Sequence, residues 1–343
     1  MSGPAGTLGV GEGSAARRAA SRMTRAAGLL WIPGLVLLWV ADRVLTSTLN
    51  PYFARLLILS GINIILAVSL NLINGFTGQF SLGHAGFMAV GGYVAAAFSV
   101  YVGPSLGPGM ALPTFLIALV LGAIAAAGAG LLIGIPTLRL RGDYLAIATL
   151  GFGEIIRVLI LNLNFLGGAR GFTNIPGSTT MFWVYLVVAA CIVFHANVIR
   201  SRHGRALLAV RDDEIAAESL GVPTTRYKVL AFVIGAAFAG LAGGLFAHYL
   251  MYLHTNSFTF MKSIEVVIMV VLGGMGSITG SVIAAIILTL LPELLRSVRE
   301  YRMVIYSFLL IILMIARPQG IFGTHEIGDV LRGRIPWKRR ASS

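Results

Sequence analysis

Long apolar stretches recur along this chain from end to end, separated by short polar or basic segments. Crossing a hydrocarbon core of about 30 Å takes roughly 20 mostly apolar residues, and the stretches have about this length. Backbone groups in lipid must be hydrogen-bonded within each segment, so helices are expected rather than barrel strands. The pattern predicts an all-α polytopic membrane protein of about 8–10 transmembrane helices with broken or re-entrant segments. The stretches cover residues 28–46, 54–74, 82–102, 112–135, 144–163, 181–199, 228–253, 264–291 and 303–316.

Composition agrees with a bilayer as the solvent. Of the 343 residues, 57% are hydrophobic and 11% are charged, whereas soluble domains carry about 25% charged residues. The net charge is +13, but the basic residues lie between apolar stretches and at the termini rather than along one amphipathic face. We therefore expect contact with membrane lipid and no binding of nucleic acid.

The positions of Arg and Lys predict the orientation of the spans. Basic residues accumulate on the cytoplasmic side of a membrane. An even number of crossings places both termini and the other basic segments in the cytoplasm. We expect a disordered cytoplasmic tail over residues 1–26, with a cleaved signal peptide as the alternative. The other expected regions are a permease domain over 27–323, with basic cytoplasmic segments near 139–141 and over 200–228, and a basic cytoplasmic tail over 324–343.

Glycines interrupt two of the apolar stretches. The stretch 264–291 is too long for one span, and Gly273, Gly274, Gly276 and Gly280 lie in its middle. Two shorter helical pieces that enter and return would restore an even count of crossings, so we predict a helix break there.

A second interruption is predicted around Gly75, Gly78 and Gly83, ahead of a helix rich in small residues over 85–97. Small residues let helix backbones approach closely, so both interruptions are expected inside the protein. Broken helices in two halves of a transporter indicate a substrate path, although the two halves of this sequence are not visibly alike.

Several motifs in order resemble one family. The segment SLNLINGFTGQFSLGHAGFMAVGGYVAA resembles the first signature of the LivH and LivM permeases of branched-chain amino acid importers. Four later segments are similar to the LivM member of that pair, and the resemblance covers about residues 50–323. These segments are GDYLAIATLGFGEIIRVL from Gly142, GGARGFTNIPG from Gly167, VVLGGMGSITGSVIAA from Val270 and LPELLRSVREYRMVIYSFLLIILMIARPQGIFG from Leu291.

The resemblance implies a permease subunit of an ABC importer in the bacterial cytoplasmic (inner) membrane. Its implied partners are a LivH-type permease, ATPase subunits of the LivG and LivF type, and an extracytoplasmic amino-acid-binding protein. ATP and Mg would be bound by the ATPases, and this chain would need no cofactor. Related permeases also carry urea, short amides or other amino acids, so those substrates remain alternatives.

Polar residues within the first signature are candidates for the substrate pathway. Polar groups at membrane depth are costly unless they find partners or line a wet cavity. For His84, a hydrogen-bonded structural role is the main alternative, because an apolar amino acid gives histidine little to do. The pathway candidates are Asn71, Gln79, Ser81 and His84.

The segment GRALLAVRDDEIAAESLG, from Gly204, is the candidate for coupling to an ATPase. Its pattern of charges predicts helix between two spans, and a solvated loop helix is the alternative. ABC importer permeases carry a coupling helix with the pattern E-A-A-x-x-x-G. Ile215 replaces the glutamate of that pattern. The remaining candidates are Ala216, Ala217 and Gly221, with Glu214 one position early.

Two pairs of opposite charges are spaced three residues apart, one within a predicted span and one at the beginning of another. Glu154 and Arg157 can share one helix face and neutralise each other as a structural ion pair. A proton relay is the alternative, and it would suit a secondary transporter. Glu265 lies near the outer end of its predicted span, with Lys262 three residues earlier.

Chemistry beyond transport is not indicated. The sequence holds no G-x-x-x-x-G-K-S/T phosphate loop, no cysteine and histidine cluster typical of a metal site, and no nucleophile elbow. We therefore expect a transport subunit rather than an enzyme. The loop 170–176, outside by the charge pattern, is the expected contact for the binding protein.

Overall fold

The structure is a computed structural model of the chain. Contacts divide the chain into Met1–Pro51 and Tyr52–Ser343, and every contact given below lies within the second unit. Both predicted tails, and most of the first and last predicted spans, lie outside the described residues. The described residues are 38–40, 42–44, 50–107, 109–138, 140, 142–294, 308, 311, 320, 321 and 323.

The fold of the described residues is all-α, as predicted. They contain no named strand, and Phe172 and Leu253 form an isolated antiparallel bridge. Residues 38–40 and 42–44 are also helical. The helices are α1 (Pro51–Asn71), α2 (His84–Tyr101), α3 (Ala111–Thr137), α4 (Asp143–Asn162), α5 (Met181–Arg200), α6 (Arg202–Asp212), α7 (Glu214–Ser219), α8 (Thr224–Leu250), α9 (Phe260–Gly273) and α10 (Ile278–Leu294).

Seven helical segments among the described residues are long and apolar enough to cross a membrane. α1 with its continuation to Phe76 is the most enclosed of these segments. Of an apolar run of 18 residues in it, 83% are buried, against 22% in the corresponding runs of α4 and α5. α10 is shorter than these segments. The chain is therefore a multi-pass membrane protein with α1 in its interior.

Glycines bring α2, α3 and α8 together. A Cβ atom on Gly91 of α2 would overlap the backbone of Gly240 on α8, and one on Gly122 of α3 would lie 2.6 Å from the Gly91 carbonyl oxygen. Helix backbones can approach so closely only where side chains are small. The small-residue helix predicted over 85–97 thus packs inside the protein.

Both predicted interruptions are present as departures from α-helix. α1 continues as a π-helix over Leu72–Phe76 and then loses helical structure until α2 begins. The stretch 264–291 forms two helices, α9 and α10, with residues 274–277 between them. Positive φ angles at Gly78 (71°), Gly274 (111°) and Gly276 (95°) explain why glycine stands there.

The sequence predicted one helical segment around 204–221, whereas the structure has two short helices, α6 and α7. They separate at Asp213, whose backbone is extended and whose carboxylate accepts hydrogen bonds from the backbone of Ile215 and Ala216. An aspartate in this role begins a new helix instead of continuing the previous one.

Candidate functional site

The two interrupted helices meet at Asn71, the last residue of α1. Its Oδ1 accepts a hydrogen bond from the Gly276 backbone nitrogen (2.9 Å), and its Nδ2 donates to the Ser277 carbonyl oxygen (2.9 Å). The Asn71 side chain is fully buried. One side chain from the first break thus provides the Gly276 nitrogen with an acceptor inside the second break, and adds a donor to the Ser277 carbonyl oxygen, which also accepts from the Ser281 nitrogen and hydroxyl.

Close backbone approach accompanies this hydrogen bonding. A Cβ atom on Gly75 would overlap both the Asn71 side chain and the Gly276 backbone nitrogen. On the other side of the second break, a Cβ atom on Gly320 would lie 2.5 Å from the Gly274 backbone. The Ile321 nitrogen donates to the carbonyl oxygen of Leu272, 2.8 Å away, near the end of α9. Residues from two other parts of the sequence, near 71–75 and at 320–321, therefore pack against the second break.

Residues 74–84 carry buried polar atoms without partners among the described residues. Both amide atoms of Gln79, the Ser81 hydroxyl and the Asn74 Nδ2 are in this state. The Asn74 Oδ1 is used, because it accepts from the Ser81 backbone nitrogen (3.1 Å). Buried polar groups in proteins are nearly always hydrogen-bonded. These atoms are therefore groups that water or a polar ligand would satisfy.

His84 lies at the start of α2 and is fully buried. Its Nε2 lies 2.9 Å from the Ser69 hydroxyl, which donates to the Leu66 carbonyl oxygen (3.0 Å). The network therefore assigns the ring proton to Nε2 and leaves Nδ1 as an acceptor, which has no partner among the described residues. The imidazole joins α2 to α1.

The beginning of α9 is held by charged and polar groups from other helices. Glu154 of α4 accepts from the Phe260 backbone nitrogen through Oε1 (3.2 Å) and pairs with Arg157 through Oε2 (2.7 Å). The Ser263 hydroxyl accepts from the Ala85 nitrogen at the start of α2 (3.0 Å). The predicted pair Glu154–Arg157 thus also caps a helix that belongs to the broken segment.

A cleft lies between α2, α4 and the start of α9. Apolar residues form most of its walls, and Glu154 is the one charged residue among those that line it. It has room for about one water molecule, so this state is closed to a larger ligand. The lining residues are Leu82, Ala85, Gly86, Leu150, Gly153, Glu154, Phe258, Thr259, Phe260 and Ser263.

The second ion pair lies deeper than the sequence indicated. Lys262 Nζ pairs with Glu265 Oε2 (3.0 Å) and also donates to Asn63 Oδ1 (2.9 Å). Asn63 stands near the middle of α1, and its Nδ2 donates to the Thr289 hydroxyl of α10 (2.9 Å). Because α9 begins inside the helix bundle rather than at its edge, the placement of Glu265 near the outer end of a span was wrong.

In the coupling segment, residues 200–228, the E-A-A-x-x-x-G positions have different surroundings. Gly221 has a φ of 81° and ends α7, a position where glycine is favoured. Ala217 is buried, whereas Ala216 is exposed. Ile215 and Leu220 leave 69% and 84% of their surfaces exposed. Two apolar side chains thus project from an otherwise charged segment.

Glu214 is engaged within this chain. Its Oε1 lies 2.6 Å from the ammonium of Lys228, which is buried at the beginning of α8. This ion pair fixes α7 to a membrane-crossing helix.

The sequence indicated no role for Arg211 other than its contribution to the positive charge of the segment 200–228. Its Nη1 donates to the Gly75 carbonyl oxygen (3.3 Å), which connects α6 to the first helix break. No local motif could have indicated this contact, because the two residues are 136 positions apart.

Comparison with known proteins gives a family. Residues 52–316 match the family described as "Branched-chain amino acid transport system / permease component". The LivM permease protein of the high-affinity branched-chain amino acid transport system of Salmonella typhimurium is 41% identical over 295 residues, which cover 76% of this chain and 67% of that protein. The LivM protein of Escherichia coli is 41% identical over 298 residues, 77% of this chain and 68% of that protein.

The LivH permease protein of Salmonella typhimurium is 34% identical over 171 residues, which cover 48% of this chain and 54% of that protein. The motifs of the first signature and of the second break both lie inside the matched family region. The chain therefore belongs to the family of permease components of branched-chain amino acid transport systems.

Proposed function

We propose that this chain is the transmembrane permease subunit of an ABC importer that moves branched-chain amino acids inward, driven by ATP hydrolysed in partner subunits. The observation that carries the proposal is the similarity to the LivM proteins together with their family. The interlocked helix breaks support it, because broken helices in transporters surround substrate paths.

The substrate path is proposed to follow residues 71–84. Gln79, Ser81 and the free nitrogen of His84 offer buried hydrogen-bonding groups along this segment. Asn71 has a different task, since both of its polar atoms are bonded to the second break. It would shape the path without contacting the cargo.

The coupling segment is proposed to dock into the ATPase subunits. Ile215 and Leu220 would insert as apolar anchors, and desolvated apolar anchors commonly dominate the energy of protein interfaces. Glu214, Ala216, Ala217 and Gly221 would shape the docking helix rather than provide a polar contact, because Glu214 is already paired with Lys228.

The assembly is proposed to contain a LivH-type permease, LivG- and LivF-type ATPases and an extracytoplasmic binding protein that contacts the loop 170–176. In this arrangement both termini and the coupling segment lie in the cytoplasm, as the Arg and Lys distribution favours. ATP and Mg belong to the ATPases, and this chain has no catalytic role.

The test is uptake by the complete complex in proteoliposomes. ATP is supplied on the side of the ATPases, the binding protein on the opposite side, and labelled leucine, urea and a short amide are compared. We expect leucine accumulation that requires ATP and stops with a non-hydrolysable analogue. Accumulation of urea or the amide instead of leucine would refute the proposed substrate. Gradient-driven uptake by this chain without ATPases would refute the proposal that it is part of an ABC importer.

A further inference from the structure

A charged pair lies within the membrane-crossing part of the molecule and is only partly covered by this chain. Lys262 and Glu265 leave 21% and 38% of their side-chain surfaces exposed. Their contacts are made on α9, close to α1 and α10. The second carboxylate oxygen of Glu265 has no partner among the residues that the structure describes.

The depth of the pair follows from its contact with Asn63. The helical run Pro51–Phe76 has 26 residues, and Asn63 stands near its midpoint, about 18 Å from either end at about 1.5 Å per residue. A hydrocarbon core is about 30 Å thick, so the ammonium of Lys262 lies close to the centre of the bilayer.

Charges at this depth do not face lipid. Ionisable residues within spans face the bundle interior or a water-filled cavity, and they mark the paths of substrates and ions. Partial exposure of Glu265 therefore places this carboxylate on a wet or protein-covered face of the permease.

The pair matches the head group of an amino acid. An α-amino acid carries an ammonium and a carboxylate on neighbouring atoms, and the pair presents one carboxylate and one ammonium. Charge-assisted hydrogen bonds of this kind are stronger than neutral ones. Neither partner would be left uncompensated at mid-membrane if a zwitterion were inserted between them.

We propose that Lys262 and Glu265 bind the zwitterionic head of the transported amino acid, the carboxylate on Lys262 and the ammonium on Glu265. This inference rests on the proposed function. Position supports it further, because the same helix α9 ends at Gly273, where the second break begins. A ligand that opens this pair would act directly on the broken helix.

The experiment uses leucine uptake by the complete complex with two double variants. The first, Lys262→Gln with Glu265→Gln, removes both charges but allows the two side chains to remain hydrogen-bonded. The second, Lys262→Glu with Glu265→Lys, keeps an ion pair but exchanges the positions of its two charges. We expect both to lower uptake about tenfold or more, because the neutral variant loses charge-assisted bonds to the ligand and the charge-exchanged variant presents each charge at the wrong end of the head group. Complex assembly and basal ATP hydrolysis should remain normal.

The matched control is Glu154→Gln with Arg157→Gln, which should retain uptake within about twofold because neutral side chains can keep the structural hydrogen bonds. Full recovery of uptake in the charge-exchanged variant would overturn the inference, because the proposed orientation, with the ligand carboxylate at position 262 and its ammonium at position 265, would then not be required. Normal uptake in the neutral variant would do the same. Failure of the unmodified complex to take up leucine would refute the proposed function instead.

Discussion

Arg211 Nη1 donates a hydrogen bond to the carbonyl oxygen of Gly75, and this contact joins the coupling segment to the first helix break. Gly78 packs on the same side chain, since a Cβ atom there would lie 3.0 Å from Arg211 Cγ. From Gly75 the contacts continue through Asn71 to the second break. A displacement of α6 therefore has a continuous packed route into the broken helices.

Replacing Arg211 should disconnect ATP hydrolysis from transport. In Arg211→Ala we expect leucine uptake to fall about tenfold, the size of one lost charge-assisted hydrogen bond, while ATP hydrolysis continues. Uptake and phosphate release are measured in the same proteoliposomes. Arg205→Ala is the control, because Arg205 is exposed on the same helix. Equal ratios of uptake to hydrolysis in the two variants would contradict the route.

The hydrogen bonds of Asn71 should contribute to the stability of the permease. Asn71→Ala leaves the buried backbone donor of Gly276 without its acceptor, at about 1–3 kcal/mol, whereas the Ser277 carbonyl oxygen keeps its hydrogen bonds from Ser281. We expect a lower Tm for the purified complex and loss of uptake. Ser69→Ala, which loses one side-chain contact to His84, should have a smaller effect. An unchanged Tm in the asparagine variant would refute the structural role.

The absence of a side chain at Gly75 should be essential. Gly75→Ala forces an overlap with Asn71 and with the Gly276 backbone, and backbone atoms cannot move away as a flexible side chain can. We expect loss of assembled complex, measured by size-exclusion chromatography after membrane extraction. Gly128→Ala is the control, since its Cβ would meet no atom within 4 Å and alanine favours helix by about 1 kcal/mol. Equal yields for both variants would be inconsistent with the close approach.

The exposed apolar residues of the coupling segment provide a test of docking. Ile215→Asp and Leu220→Asp should weaken ATPase binding without unfolding the permease, because these side chains contact little of their own chain. Co-purification of the ATPases reports the loss, which we expect to exceed about tenfold, the scale of an interface anchor. Glu218→Gln, an exposed change on the same helix, should retain binding.

Ala217→Asp would be a poor test of docking, although Ala217 matches the coupling pattern. Ala217 leaves only 3% of its surface exposed, so a carboxylate there would disturb the segment itself. Co-purification at the unmodified level in both Ile215→Asp and Leu220→Asp would contradict docking through this surface.

The sequence predicted both breaks and the spans that lie within the described residues, because each depends on local pattern. Apolar length defines α4 and α5 to within a few residues, and the glycines near 75 and 276 prevent regular helix. The contacts that join the two helix breaks are not local. Asn71 bonds Gly276 across 205 positions, and hydropathy carries no information about such a pair.

The sequence also could not show how deep Glu265 lies within the helix bundle. The length of stretch 264–291 suggested that Glu265 lies near a membrane surface, but α9 begins deep in the bundle, where Lys262 contacts Asn63. Similarly, the glutamate of the coupling pattern could be sought one position early, at Glu214. Its pairing with Lys228 depends on how α7 folds back onto α8.

The link between Asn71 and the second break has a consequence for biogenesis. The first break is synthesised about 200 residues ahead of Gly276 and Ser277, so its amide side chain enters the membrane long before its partners exist. In hydrocarbon such a group needs shelter. Insertion of this protein must therefore keep the early helices in a protected or hydrated environment until the last part of the chain arrives and closes the core.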